Sequence, residues 1–250
     1  MILRKLKKST LRVIDEDFRI IDFSFALPYT YVVIEGNRGR SLGVAMTLPE
    51  EIQTYSSEIE DISVESFIKK VDSLNIIERT LAIATINAVS QYYIDLSKAE
   101  SKDVTELLDE SITKVAVIGN MPPIVRSLKE RGFDLYVFER NLKLWDRETL
   151  SDSLEYWLLP EMEAIIVSGS ALVNGTLDMI LERSKKARLI VLTGPTAQIL
   201  PEFLKSSGIT HVASMKVLNI EKALIKLKLG SFRGFEKENK KYIAEVPEDG

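Results

Sequence analysis

The 250-residue chain contains no cysteine, which excludes disulfides, a thiolate nucleophile, iron–sulfur clusters and any Cys-based zinc site. It contains one histidine, His211, so two imidazole ligands for a soft metal cannot be assembled within one chain. A lone imidazole at the start of a weak strand reads as a surface or satisfied group rather than a base. No stretch approaches the roughly 20 apolar residues of a membrane span. The basic start, Met1 to Lys8, runs into Ser9-Thr10 and a mixed strand over Val13 to Ile20 without the apolar core of a signal peptide. A cytoplasmic protein with no membrane partner is expected. Positive charge is not concentrated either: the net charge is -4, and Arg4 to Lys8, Lys185-Lys186 and Lys240-Lys241 are short clusters that read as solvated surface. No nucleic-acid partner is expected.

What is present is the composition of packed cores, 45% apolar and 28% charged residues with 12 Gly and 8 Pro. Phe18 to Leu27, Tyr29 to Glu35 and Arg40 to Met46 read as three β segments, with Gly36-Asn37-Arg38-Gly39 as the turn between the last two. Ser63 is a candidate N-cap of a short helix through Val71. Ile76 to Leu96 is a longer helix, apolar over most of its circumference and therefore buried on more than one side. Asn87, Ser90 and Gln91 stand at i, i+3 and i+4 on it, a polar stripe that serves either an internal hydrogen bond or a ligand-facing edge.

The charged segment from Lys98 to Ser111 breaks the apolar run and marks a boundary. After it come continuous apolar runs, Val115 to Ile118, Leu135 to Phe138, Ala164 to Val167 and Leu189 to Leu192, with His211 to Ala213 as a weaker fifth. Runs of this kind, separated by helical segments, mark strands buried on both faces of a parallel sheet. The intervening helices are Pro123 to Arg131, one within Leu150 to Leu159, Leu177 to Lys185, Glu202 to Ser207 and Glu221 to Leu229. The fold class is α/β: an N-terminal α+β domain over 1–100, a parallel-sheet domain over 112–230, and a C-terminal tail over 231–250.

Ligands of open parallel sheets sit beyond the carboxyl ends of the strands. The loops there are Gly119 to Pro123, Glu139 to Asn141, Ser168 to Thr176 and Thr193 to Thr196. The first is not a dinucleotide fingerprint, because Pro122 and Pro123 occupy the helix start and have no N–H to donate. Glu139 stands where a nucleotide-binding fold places an acid on a ribose, though a salt bridge or a cap would also put an acid there. Ser170, Asn174 and Thr176 offer polar contacts between Gly169 and Gly175, and Thr176 reads as an N-cap. Glu139 and Asn174 lie in loops, so their substitution is expected to leave the fold nearly intact.

Val117-Ile118-Gly119 with Pro122-Pro123, Val137 to Asn141, Ser168 to Leu177 and Leu192 to Thr196 resemble, in order and spacing, the putative heavy-metal chelation family, a domain of unknown function. Gly43 to Thr47 and Ile86 to Gln91 resemble its companion domain. The resemblance covers most of residues 10 to 225. It implies an enolase N-terminal-like domain, a Rossmann-like C-terminal domain and a pocket between them. The implied ligand-binding residues are Asn87, Gly119, Pro122, Glu139, Ser170, Asn174, Thr176, Gly194 and Thr196. If a metal ion takes part, this donor set calls for a divalent cation with oxygen ligands, Glu139 first among them. Three functions fit: a protein binding a small molecule or metal complex in the cleft, with or without catalysis; a nucleotide- or cofactor-dependent enzyme; and a non-catalytic scaffold. A homo-oligomer is compatible with each.

Overall fold

The computed structural model describes residues 1–237 and 239–248. The chain opens with a helix, α1 (Ile2–Val13), where the sequence suggested a basic lead-in to a strand. Ile2, Leu3, Leu6 and Thr10 form one buried face of it, and Arg4, Lys5, Lys7 and Lys8 lie around the remainder. That spacing is helical, and the tertiary contact of its apolar side outweighs the crowding of like charges.

Strands β1 (Arg19–Ser24), β2 (Tyr29–Gly36) and β3 (Gly39–Met46) form an antiparallel sheet in that order. Helix α2 (Val64–Lys69) is capped by Ser63, whose hydroxyl accepts from the Ser66 amide at 3.2 Å. Helix α3 (Ile76–Tyr93) lies across this sheet and is buried from Leu81 to Gln91. The close approach is made at Gly43: a Cβ there would stand 2.1 Å from the Ala88 amide and 2.2 Å from the Ala84 carbonyl. Any side chain would push helix and strand apart.

The second sheet has seven strands in the order β10-β9-β8-β7-β4-β5-β6. They are β4 (Lys114–Ile118), β5 (Asp134–Glu139), β6 (Thr149–Ser151), β7 (Ala164–Ser168), β8 (Leu189–Thr193), β9 (His211–Val217) and β10 (Asn239–Glu245). All neighbours pair in parallel except β10 with β9. The segment 231–250, expected as a tail, carries among its described residues α9 (Phe232–Lys237) and an edge strand. Its sequence hid this because Lys240 and Lys241 precede a buried stretch of only three residues, Tyr242 to Ala244. The remaining helices are α4 (Pro122–Glu130), α5 (Glu155–Leu158), α6 (Ser170–Asn174), α7 (Leu177–Arg183) and α8 (Ile220–Lys228). Residues 201–204 form one turn of 3-10 helix instead of the α-helix expected over Glu202 to Ser207.

The alternation of strand side chains divides the core. Val115, Val117, Val137, Ile166 and Val191 face α4, whereas Ala116, Ile118, Phe138, Val167 and Leu192 join the cluster that runs through α3, α6 and α7 to the first sheet. Among the described residues, no helix is long and apolar enough to cross a membrane.

Candidate functional site

β4 is flanked by β5 on one side and β7 on the other, and the chain moves outward from it in both directions. The order reverses there, so the loops leaving β4 and β7 diverge and open a crevice. Three glycines hold these loops. Gly119 has φ +86° and donates to the Phe138 carbonyl at 2.8 Å, Gly169 donates to Thr193 at 2.7 Å, and Gly194, with φ +97°, donates to Ala213 at 3.0 Å. Each bond extends a ladder by one step before its loop turns away. A Cβ on Gly119 would stand 2.9 Å from Ser168 Cβ, so the floor of the crevice requires glycine.

The cavity has a volume of about 440 Å³ and is bounded by both sheets' elements: Tyr29, Met46 and Leu48 from the first, the four strand-end loops from the second, and Phe232 and Tyr242 from the C-terminal segment. Of the residues named from the sequence, Gly119, Pro122, Glu139, Ser170, Asn174, Thr176 and Gly194 line it. Ser170 donates its hydroxyl to Ser168 Oγ at 2.9 Å. Asn174 Oδ1 accepts from both the amide and the hydroxyl of Thr176, at 3.1 and 2.8 Å. Thr176 precedes α7 but makes no capping hydrogen bond, since its hydroxyl is turned to Asn174. The Asn174 turn is closed by Gly175 at φ +78°, beside Arg79, whose Nη1 donates to the Val173 carbonyl at 3.0 Å.

Asn87 and Thr196 do not line the crevice, contrary to the expectation from the sequence. Both are buried, and together with Gln198 they close the free edge of β3. Asn87 Nδ2 donates to the carbonyls of Val44 and Thr196 at 2.7 and 2.8 Å. The Met46 amide donates to Thr196 Oγ1, and the Val44 amide to Gln198 Oε1, each at 2.9 Å. An exposed strand edge is thereby satisfied by side chains from α3 and from the loop after β8. The polar stripe on α3 is satisfied from within only in part: Gln91 donates to Tyr242 Oη at 3.1 Å, while Asn87 Oδ1, Ser90 Oγ and Gln91 Oε1 are buried without a hydrogen-bond partner among the described residues.

Glu139 is buried, and each carboxylate oxygen already accepts a backbone amide: Oε2 from Asn120 and Oε1 from Asn141, both at 2.8 Å. It ties the loops after β4 and β5 together, which leaves it poorly placed to grip a ribose or a metal. It also stands in a buried structural role where its loop position alone suggested a dispensable one. Beside it, Arg140 bridges Asp152 at 2.7 Å and Glu51 at 2.8 Å.

Sequence reasoning missed Glu155. This residue of the short helix α5 is 3% exposed and lines the crevice. Burial, reinforced by the charges of Asp152 and Glu139 and opposed by Arg140, pushes its carboxyl up to about 8. No periodic signal marks it, since α5 is a single turn and neighbouring Tyr156 and Trp157 are half or more exposed. His211 lies at the opposite, amino-terminal end of β9, half-buried, with Nδ1 3.0 Å from Thr210 Oγ1. Burial lowers its pKa against the pull of Glu245 and Glu100. Among the described residues no group of three or more His, Asp or Glu side chains is placed to hold a metal ion.

Comparison with known proteins bears on this arrangement. The chain is 49% identical over 257 residues to an uncharacterized protein of Methanocaldococcus jannaschii, an alignment covering 98% of each. Its fold is similar to the crystal structure of a protein with unknown function from Pyrococcus horikoshii, with a TM-score of 0.96 and 63% identity over 98% of this chain and all of that one. A protein with unknown function from Desulfitobacterium hafniense superposes with a TM-score of 0.78 at 20% identity, covering 97% and 98% of the two chains, a likeness of fold alone. Residues 103–245 match one family model and residues 8–90 a second, both described as putative heavy-metal chelation. The chain belongs to that putative heavy-metal chelation family.

Proposed function

We propose that the protein binds a small organic molecule, or a metal ion already chelated by one, in the crevice at the carboxyl ends of β4, β5, β7 and β8. The observation that carries this reading is the crevice itself: a cavity of about 440 Å³ at the point where the strand order reverses. That volume lies in the range of small-molecule sites, and an apolar lining with a few convergent polar groups is their usual composition.

A bare heavy metal does not fit the residues present. Soft cations are held by thiolates and imidazoles. There is no cysteine, the one imidazole is on the far side of the sheet, and Glu139 has both oxygens engaged by amides. If a metal reaches the crevice, the ligand and not the protein must supply most of its donor atoms. A nucleotide reading finds less support, because Pro122 and Pro123 remove amides from the start of α4, where a pyrophosphate would be held.

The test is a thermal-shift panel of organic acids, amines, nucleotides and preformed metal chelates, run on the native chain and on Ser170→Trp, which fills the crevice from its wall. A ligand at 100 times its dissociation constant adds about 2.7 kcal/mol to stability. Stabilisation of the native chain that disappears in Ser170→Trp is the expected result. Equal stabilisation of both proteins by every active compound would contradict the reading.

A further inference from the structure

We infer that Glu155, with Asp152 and Glu139 beside it, is the recognition point in this crevice for a cationic organic group of the ligand, a primary ammonium or a guanidinium. The inference rests on the crevice being the binding site, as proposed above.

Glu155 is 3% exposed and lines the cavity, and its carboxylate has no hydrogen-bond or ion-pair partner among the described residues. A carboxyl screened from bulk solvent in the wall of a cavity, with no donor from the protein, leaves an acceptor open to a donor on the ligand. The other charges near it are already committed. Arg140 is shared between Asp152 and Glu51, and Glu139 is held by two amides. On α7, which packs against α5, Arg183 donates to the Tyr156 carbonyl at 2.9 Å and lies over the Tyr156 ring. Asp178 of the same helix accepts from the Ile2 amide at 2.7 Å, and Glu182 is exposed.

Glu51, Asp152 and Glu139 against Arg140 alone leave this end of the crevice negative before Glu155 ionises. At this end an anionic ligand would find like charge, since Arg140 beside Glu155 is already paired; the lysines lining the cavity, Lys102 (paired with Glu100) and Lys241 of β10, stand toward the opposite edge of the sheet. A metal ion would find no group of three His, Asp or Glu ligands among the described residues. A cationic organic group would find opposite charge and an unpartnered oxygen, with Leu48, Met121 and Leu144 lining the way for an alkyl chain. The proton is accounted for: as the ammonium forms its N–H···O bond to the carboxylate, the proton that Glu155 carried is released to solvent. Binding by the native chain is therefore coupled to pH, in the sense of tighter binding as pH rises toward the carboxyl's pKa of about 8.

Three probes with the same tail and different heads test this: hexylammonium, hexanamide and hexanoate, titrated calorimetrically into the full chain and into Glu155→Gln. An alkylammonium stays protonated throughout the range, as lysine does. The native chain is expected to bind hexylammonium at least about tenfold tighter than the other two. Its affinity should rise by close to a factor of about 10 per pH unit below about pH 8 and level off above it. Glu155→Gln should lose both the head-group preference and the pH dependence. Crystals soaked with hexylammonium should show its nitrogen within hydrogen-bond distance of Glu155.

Equal binding of the amide or the carboxylate, or a flat pH profile in the native chain, overturns the inference without any variant being made. Probe density in the crevice with the nitrogen away from Glu155 also overturns it while leaving the crevice standing. No probe density in the crevice at all removes the crevice reading instead.

Discussion

Replacing Glu155 by glutamine should change the pH dependence of stability in a direction opposite to most carboxylate substitutions. The folded-state pKa is raised from 4.5 to about 8 by burial and by Asp152 and Glu139, so the native state holds the proton that the unfolded chain has lost. Stability then falls as pH climbs between those two values and is flat outside them. From about pH 4.5 to about pH 7 the unfolded carboxyl ionises and the folded one does not, and at about 1.4 kcal/mol per pH unit the native protein forfeits on the order of 3 kcal/mol. The glutamine variant lacks this loss. Urea unfolding of the two proteins at matched pH should show the variant gaining on the native chain by as much as about 3 kcal/mol across that window. Taking the difference cancels every other titrating group. A difference that is constant with pH, or that moves against the variant as pH rises, would refute the reading of Glu155 as a buried, unpartnered carboxyl.

Glu139→Gln should destabilise the chain by about 1.5–3 kcal/mol, because one of the two amides from Asn120 and Asn141 then faces an NH₂ group; a urea midpoint unchanged from the native chain would show that the clamp is dispensable. Asn87→Ala strips the partners from the Val44 and Thr196 carbonyls, and chemical denaturation should report a loss of about 2 kcal/mol or more, with crevice binding retained if folding is restored at low temperature. Gly43→Ala puts a Cβ 2.1 Å from the Ala88 amide. Its effect should reach or exceed the upper part of the roughly 1–3 kcal/mol range of overpacking, and a melting temperature near that of the native chain would mean that α3 moves aside freely. Zinc should bind the tag-free chain with a dissociation constant weaker than about 1 µM, read by calorimetry; tighter binding would reveal a ligand set that the donor inventory omits.

The three strands of the first sheet and the five central ones of the second are legible in the sequence because their signal is local, whereas the short edge strand β6 and strand β10 are not. Val115 to Ile118 and Ala164 to Val167 are apolar on both faces, as central parallel strands must be. The Gly119, Ser168 and Gly194 loops could be placed in the crevice for the same reason, since position at a strand's carboxyl end follows from the strand. What failed was partnership. Asn87 and Thr196 are polar residues in plausible places, yet the hydrogen bond that joins them spans 109 positions, and nothing local distinguishes a ligand contact from a strand-edge cap. Glu139 was recognised as special but its two amides were not foreseeable, and Glu155 gave no signal because its importance lies in what does not touch it. Helix α1 and strand β10 were hidden by lysines, which mask short amphipathic patterns that only a tertiary neighbour completes.

The central claim is that the crevice between the Gly119 and Ser168 loops is the ligand site. A crystallographic fragment screen on the native chain, using compounds of mixed charge, tests it most directly. The account predicts that bound fragments cluster against Gly119, Ser170, Asn174 and Gly194, with cationic heads turned toward Glu155. Fragments occupying other surfaces while this crevice stays empty of them would contradict it.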